Sequence, residues 1–178
     1  MTRILPGLAL LLCWLSAAVA AEPAGAITGD TLGKFLGSAG YEPAVIQSTS
    51  GGVWGYDVAV TSRGRVFNLE VQLSPDGHTV WVIAPLRAVP DPPKLPAHRL
   101  LRLLEENDRI GPGSFAYVHP RLHLNLPMPN RGLTPERFRR DVEALCDTIV
   151  RTEPLWDPAQ WTDDASSPRG PARRGIRF

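Results

Sequence analysis

The chain has 178 residues, with 19 Lys+Arg against 18 Asp+Glu and two cysteines. That length allows one domain of ordinary size with end segments to spare. A near-neutral balance supplies no overall field to draw the protein onto nucleic acid or an anionic membrane, so neither is expected as a partner.

The opening stretch, MTRILPGLALLLCWLSAAVA, carries Arg3, an apolar run from Ile4 to Val19 and the small-x-small site Ala18-Val19-Ala20. This is the pattern of a secretory signal peptide cleaved after Ala20. The run is broken by Pro6 and Gly7 and is shorter than the roughly 20 apolar residues that span a bilayer, so no membrane span is expected after cleavage. The mature chain is expected to be exported, to the periplasm or the exterior. Cys13 follows Leu10-Leu11-Leu12, whereas a lipidated cysteine needs a small residue directly before it. Loss of residues 1–20 leaves Cys146 alone, so the fold must rest on its hydrophobic core instead of a disulfide.

Residues 21–29 form a small, turn-rich leader. A first helix is expected from Thr31 to Ala39, with Asp30 as its cap, Leu32, Phe35, Leu36 and Ala39 at helical spacing, and Gly40 as the closing residue. Gly33 and Gly37 each weaken it by roughly 1 kcal/mol relative to alanine. Three alternating segments follow: Val53 to Val60, Arg65 to Leu73 and His78 to Pro85. The first places Trp54, Tyr56, Val58 and Val60 on one side, and the second turns Phe67, Leu69, Val71 and Leu73 inward. Ser62-Arg63-Gly64 and Ser74-Pro75-Asp76-Gly77 supply the turns of an antiparallel meander with one solvated face.

DPPKLP then breaks the pattern, and Pro96 opens a second helix running to about Asp108. Leu100, Leu101, Leu103 and Leu104 give it a broad apolar arc, and Glu105, Glu106, Asn107 and Asp108 crowd its end. Asn107 ends the helix, Gly111 and Gly113 let the chain reverse, and Phe115 and Tyr117 share a face of the next strand. Ser114 to Val118 and Leu122 to Leu126 form a hairpin through His119-Pro120-Arg121. The clearest helix start is Thr134-Pro135-Glu136, an N-cap, a proline at the first position and an acidic first turn. Phe138, Val142, Leu145, Cys146 and Ile149 make its apolar stripe, and it is expected to end near Arg151, ahead of Pro154. Residues 157–178 are polar and rich in Pro, Gly and Arg, the composition of a disordered tail.

The expected fold is α+β: an antiparallel five-stranded sheet with helices packed on one face, in the order α-βββ-α-ββ-α, over residues 30–156. This order, the stretch LLEENDRIGPGSFAY, the strand LHLNLP and the helix LTPERFRRDVEAL resemble the type III secretion chaperone-like (CesT/YbjN-like) superfamily. The resemblance implies a protein-binding scaffold without shared catalytic residues. Secretion chaperones are cytosolic and usually acidic, whereas this chain opens with a signal peptide and is neutral, so it is the binding-scaffold idea that carries over.

No P-loop, dinucleotide fingerprint, nucleophile elbow or CxxC occurs in the sequence, and no cofactor is expected. His119 and His123 are four apart, but Pro120 intervenes and the pair spans a hairpin, so no metal site is expected. Glu105, Glu106 and Asp108 are expected to fan into solvent instead of converging as paired carboxylates. The leading expectation is an exported, non-enzymatic binding module for another protein or for a second copy as a homodimer. Its candidate surface is Leu100, Leu101, Leu103 and Leu104 on the second helix, or the aromatic residues Trp54 and Trp81 on the sheet. The alternatives are a small metal-dependent hydrolase built on His119 and His123, or an envelope structural component that uses the basic tail.

Overall fold

The computed structural model describes residues 25–88, 97–118 and 120–157. The leader peptide, the second-helix start at Pro96, His119 and the tail beyond Asp157 lie outside the described residues. Among the described residues nine elements follow one another: α1 (Gly29–Ser38), β1 (Ala44–Gln47), β2 (Val53–Ser62), β3 (Arg65–Leu73), β4 (Thr79–Ala88), α2 (Ala97–Asn107), β5 (Ser114–Val118), β6 (Arg121–Pro129) and α3 (Pro135–Trp156). The strands make one antiparallel sheet in the order β1-β2-β3-β4-β6-β5. The α+β class and the single helical layer are as expected, but the sheet has six strands, not five. The additional strand, AVIQ, is four residues long, largely exposed and bulged between Ile46 and Gln47. It buries no face and so leaves no alternation in the sequence.

The core lies between the sheet's inner face and the helices. Val58, Val60, Phe67, Leu69, Val71, Val80, Val82, Leu124 and Met128 point inward from the strands, and Leu32, Leu36, Phe138, Val142, Leu145 and Ile149 meet them from α1 and α3. α1 starts one residue before the expected cap: Thr28 is the N-cap, and its N–H donates to Thr31 Oγ1 at 2.8 Å. Gly40 closes the helix at φ 87, the left-handed conformation that glycine adopts without a Cβ penalty. Phe35 and Tyr41 set their rings edge-on to Phe138, with centroids 5.5 and 5.8 Å away.

Three elements run longer than the sequence suggests, each because a proline is accommodated. β4 continues past Pro85 to Ala88 because a bulge falls between Pro85 and Arg87. β6 continues to Pro129 because β5 pairs with it only between Arg121 and Asn125. Pro127 and Pro129 therefore pair with β4 alone, and the missing N–H costs no second ladder. α3 does not stop ahead of Pro154 but carries it in its last turn and ends at Trp156. That turn is held by arginines from three elements. Arg65 of β3 grips Glu153 with two nitrogens at 2.8 and 2.9 Å, Arg87 of β4 reaches Asp157 at 3.2 Å, and Arg99 of α2 donates to the Pro154 carbonyl at 3.3 Å. Cations at a helix C-terminus also meet the negative end of its dipole. Trp156 donates from Nε1 to Thr152 Oγ1 at 3.3 Å and packs against the core.

Candidate partner-binding surface

α2 is amphipathic, but its division differs from the expected arc. Leu103 and Glu106 face inward, and Leu103 joins the core instead of the surface. Leu100, Leu101 and Leu104 remain 37%, 60% and 62% exposed. Spaced at i, i+1 and i+4, they share one outward side of the helix. The helix packs against β5 and α3, and on β5, the terminal strand of the sheet, Tyr117 is exposed on the helix-covered side and Val118 on the opposite face. Scattered apolar residues on a surface are ordinary, and it is large contiguous apolar patches that mark interaction sites. Tyr117 shares one strand face with Phe115, as the sequence placed it, and of the two Phe115 is buried and Tyr117 exposed. No local signal shows that this strand ends the sheet.

The end of α2 is fastened to β5 by side chain to main chain bonds. Asn107 Oδ1 accepts from the Phe115 N–H at 2.7 Å, and Asn107 Nδ2 donates to the Phe115 carbonyl at 3.4 Å. The corner LLEENDRIGPGSFAY is therefore structural, and it fixes the leucine face relative to the strand.

The acidic cluster in this corner divides. Glu105 and Asp108 are exposed, but Glu106 is buried, which corrects the expectation of a solvated triad. Arg151 NH1 bonds to one of its carboxylate oxygens and Arg109 NH1 approaches the other at 3.4 Å. The Arg151 hydrogen bond, above all, holds the Glu106 carboxyl below the ordinary glutamate range despite its burial. An inward carboxylate on α2 thus finds its countercharge on α3, 45 residues away in sequence. Only tertiary structure could reveal that pairing.

Trp54 and Trp81 do not form one platform. Trp54 shares parity with the inward Tyr56, Val58 and Val60 but sits at the start of β2, 49% exposed. Trp81 lies between the buried Val80 and Val82, so it points from the opposite, outer face, opposite Gln72 and Pro127. On the same outer face, His123 sits opposite Pro85 and Ala116. Burial lowers its pKa. Among the described residues no group of three His, Cys, Asp or Glu could hold a metal ion. Cys146 is fully buried on α3, and desolvation, followed by Asp147 and Glu143, raises its thiol to about 11. It stays protonated near neutral pH. No helix among the described residues is long and apolar enough to cross a membrane.

No family model matches the chain, and no curated protein matches it. Solved structures similar to it include two complexes. One is the heterodimeric ExoU–SpcU complex from the type III secretion system of Pseudomonas aeruginosa, at 20% identity over 57% of this chain and 84% of that chain, with a TM-score of 0.46. The other is the HopA1–SchA chaperone–effector complex, at 14% identity over 68% of this chain and 89% of that chain, with a TM-score of 0.44.

Proposed function

We propose that the chain is an exported, non-enzymatic protein-binding module, and that its docking surface is the outward side of α2 with the adjoining end of β5. The observation that carries this reading is the exposure of Leu100, Leu101 and Leu104 on α2, with the exposed Tyr117 on the helix-covered side of the neighbouring β5. Covering large apolar side chains with a protein surface releases about 25 cal/mol per Å² of apolar area, which is the driving term of most protein association. A second copy of the chain is the occupant that fits first. Two α2 helices related by a twofold axis would place one leucine stripe against its own counterpart, the self-complementary arrangement that homodimers use. The resemblance read in the sequence implies the same class of role.

Light scattering across a concentration series tests this, with Leu101→Glu/Leu104→Glu as the disrupting variant. A dimer for the parent and a monomer for the double variant, with both unfolding cooperatively, is the expected result. A parent that stays monomeric up to millimolar concentration removes the second copy as occupant. If, in addition, the double variant leaves capture of envelope proteins unchanged, the binding surface lies elsewhere.

A further inference from the structure

A groove of about 590 Å³ runs between α3, β6 and the loop that follows α2. Its size lies within the roughly 300–1,000 Å³ of small-molecule sites. Its floor is apolar, formed by Leu124, Leu126 and Met128 of β6 with Leu145 of α3. Along α3 the lining extends from Arg137 to Arg151, about 21 Å at 1.5 Å per residue. The shape is a slot, suited to a linear molecule.

Charge differs between its two ends. Arg137 lines one end together with Asp141, and the two form an ion pair at 3.6 Å. Arg109 and Arg151 line the other end, and the carboxylate they share, Glu106, is buried behind them and does not line the groove. Glu106 takes a contact from one nitrogen of each guanidinium, and each guanidinium has five N–H donors. Two guanidinium charges against one carboxylate leave one positive charge at this end, with donors to spare. Among the described residues this is an apolar slot with a single uncompensated cation at one end, complementary to a linear monoanion with an apolar body.

We propose that this groove binds a small amphipathic carboxylate of the fatty-acid type, with its head on Arg109 and Arg151 and its chain laid along Leu124, Leu126, Met128 and Leu145. Guanidinium groups match a carboxylate in geometry as well as in charge. This site is separate from the α2 leucine surface and does not depend on that reading.

Calorimetric titration of the full chain with decanoate, kept below its micellar range, tests the proposal. Decanoate is expected to bind saturably at one site, whereas decyltrimethylammonium, with the opposite head charge, is expected not to bind. Arg109→Gln should weaken decanoate about tenfold, the loss of one charge-assisted hydrogen bond. Ala144→Trp, at an exposed position on the groove wall, should abolish binding by filling the slot. Thermal melts check that both variants fold, and if Ala144→Trp does not, the surface change Arg109→Gln decides alone. No saturable decanoate binding, equal binding of the cationic amphiphile, or unchanged affinity in Arg109→Gln would each overturn the assignment. Displacement of decanoate by an extended Asp/Leu hexapeptide that binds more tightly would overturn it in favour of a peptide groove.

Discussion

The side chain of Asn107, at the last position of α2, bonds both the N–H and the carbonyl of Phe115 in β5. A primary amide is the one side-chain group that offers a donor and an acceptor in the spacing that a neighbouring strand would present. Asn107→Ala should therefore destabilise the fold by about 1–3 kcal/mol by leaving both groups without protein partners. Asn107→Asp keeps the acceptor but turns a carboxylate oxygen toward the Phe115 carbonyl, so it should recover none of the loss. Urea unfolding of the two variants checks this, and full recovery in the aspartate would show that only the N–H bond matters.

Two of the three glycines of α1, Gly33 and Gly37, differ in what surrounds them. A Cβ on Gly37 would meet nothing within 4 Å, whereas one on Gly33 would come within 2.9 Å of the Tyr56 ring. Gly37→Ala should raise stability by about 0.5–1 kcal/mol, the helix-propensity gain. Gly33→Ala gains the same propensity but must displace Tyr56, so no net increase is expected. Equal midpoint shifts in paired thermal melts would show that the Tyr56 ring yields freely.

The apolar stripe of α3 is buried as its spacing requires: Phe138 and Val142 are fully enclosed and Leu145 and Ile149 nearly so, while Arg139 and Arg140 are exposed. Leu145→Ala should cost about 2–5 kcal/mol, and Arg140→Ala should stay within about 0.5 kcal/mol. Guanidinium titrations of both proteins measure the difference. A more damaging change at Arg140 is incompatible with the packing described.

Glu106 and Glu153 both have carboxyl groups held below the ordinary range, chiefly by the hydrogen bonds from Arg151 and Arg65. A folded-state pKa lower than the unfolded one contributes stability above the unfolded value, and that contribution is lost as pH falls through the folded value. Stability should thus hold from neutrality to about pH 5 and decline below roughly pH 4, as these groups take up protons. Glu106→Gln should be less stable at pH 7 and show a shallower decline. A variant with the parent's acid profile would mean that the Glu106 pair does not contribute to it.

Much of this fold was legible from periodicity. The meander, the β5–β6 hairpin, Thr134-Pro135 and the Phe138-to-Ile149 stripe all follow from alternation, spacing and capping. What stayed hidden depended on partners distant in sequence. β1 has no buried face to reveal it. Pro85 and Pro154 look like stops until the bulge and the arginine grip on α3 are seen. The leucine cluster on α2 was visible as composition, but the assignment of Leu103 to the core and of its three neighbours to the surface needed the placement of β5 and α3. Glu106 misled for the same reason.

Among the described residues α3 is the last element in chain order, and it supplies Phe138, Val142, Leu145, Cys146 and Ile149 to the core. Until it has been synthesised, the inner face of the meander has only α1 to cover it. A nascent chain that has reached β6 has completed its sheet but has no closed interior. Closure of the interior thus waits for α3, and a chain interrupted before Phe138 would leave the inner face of the meander with α1 as its cover.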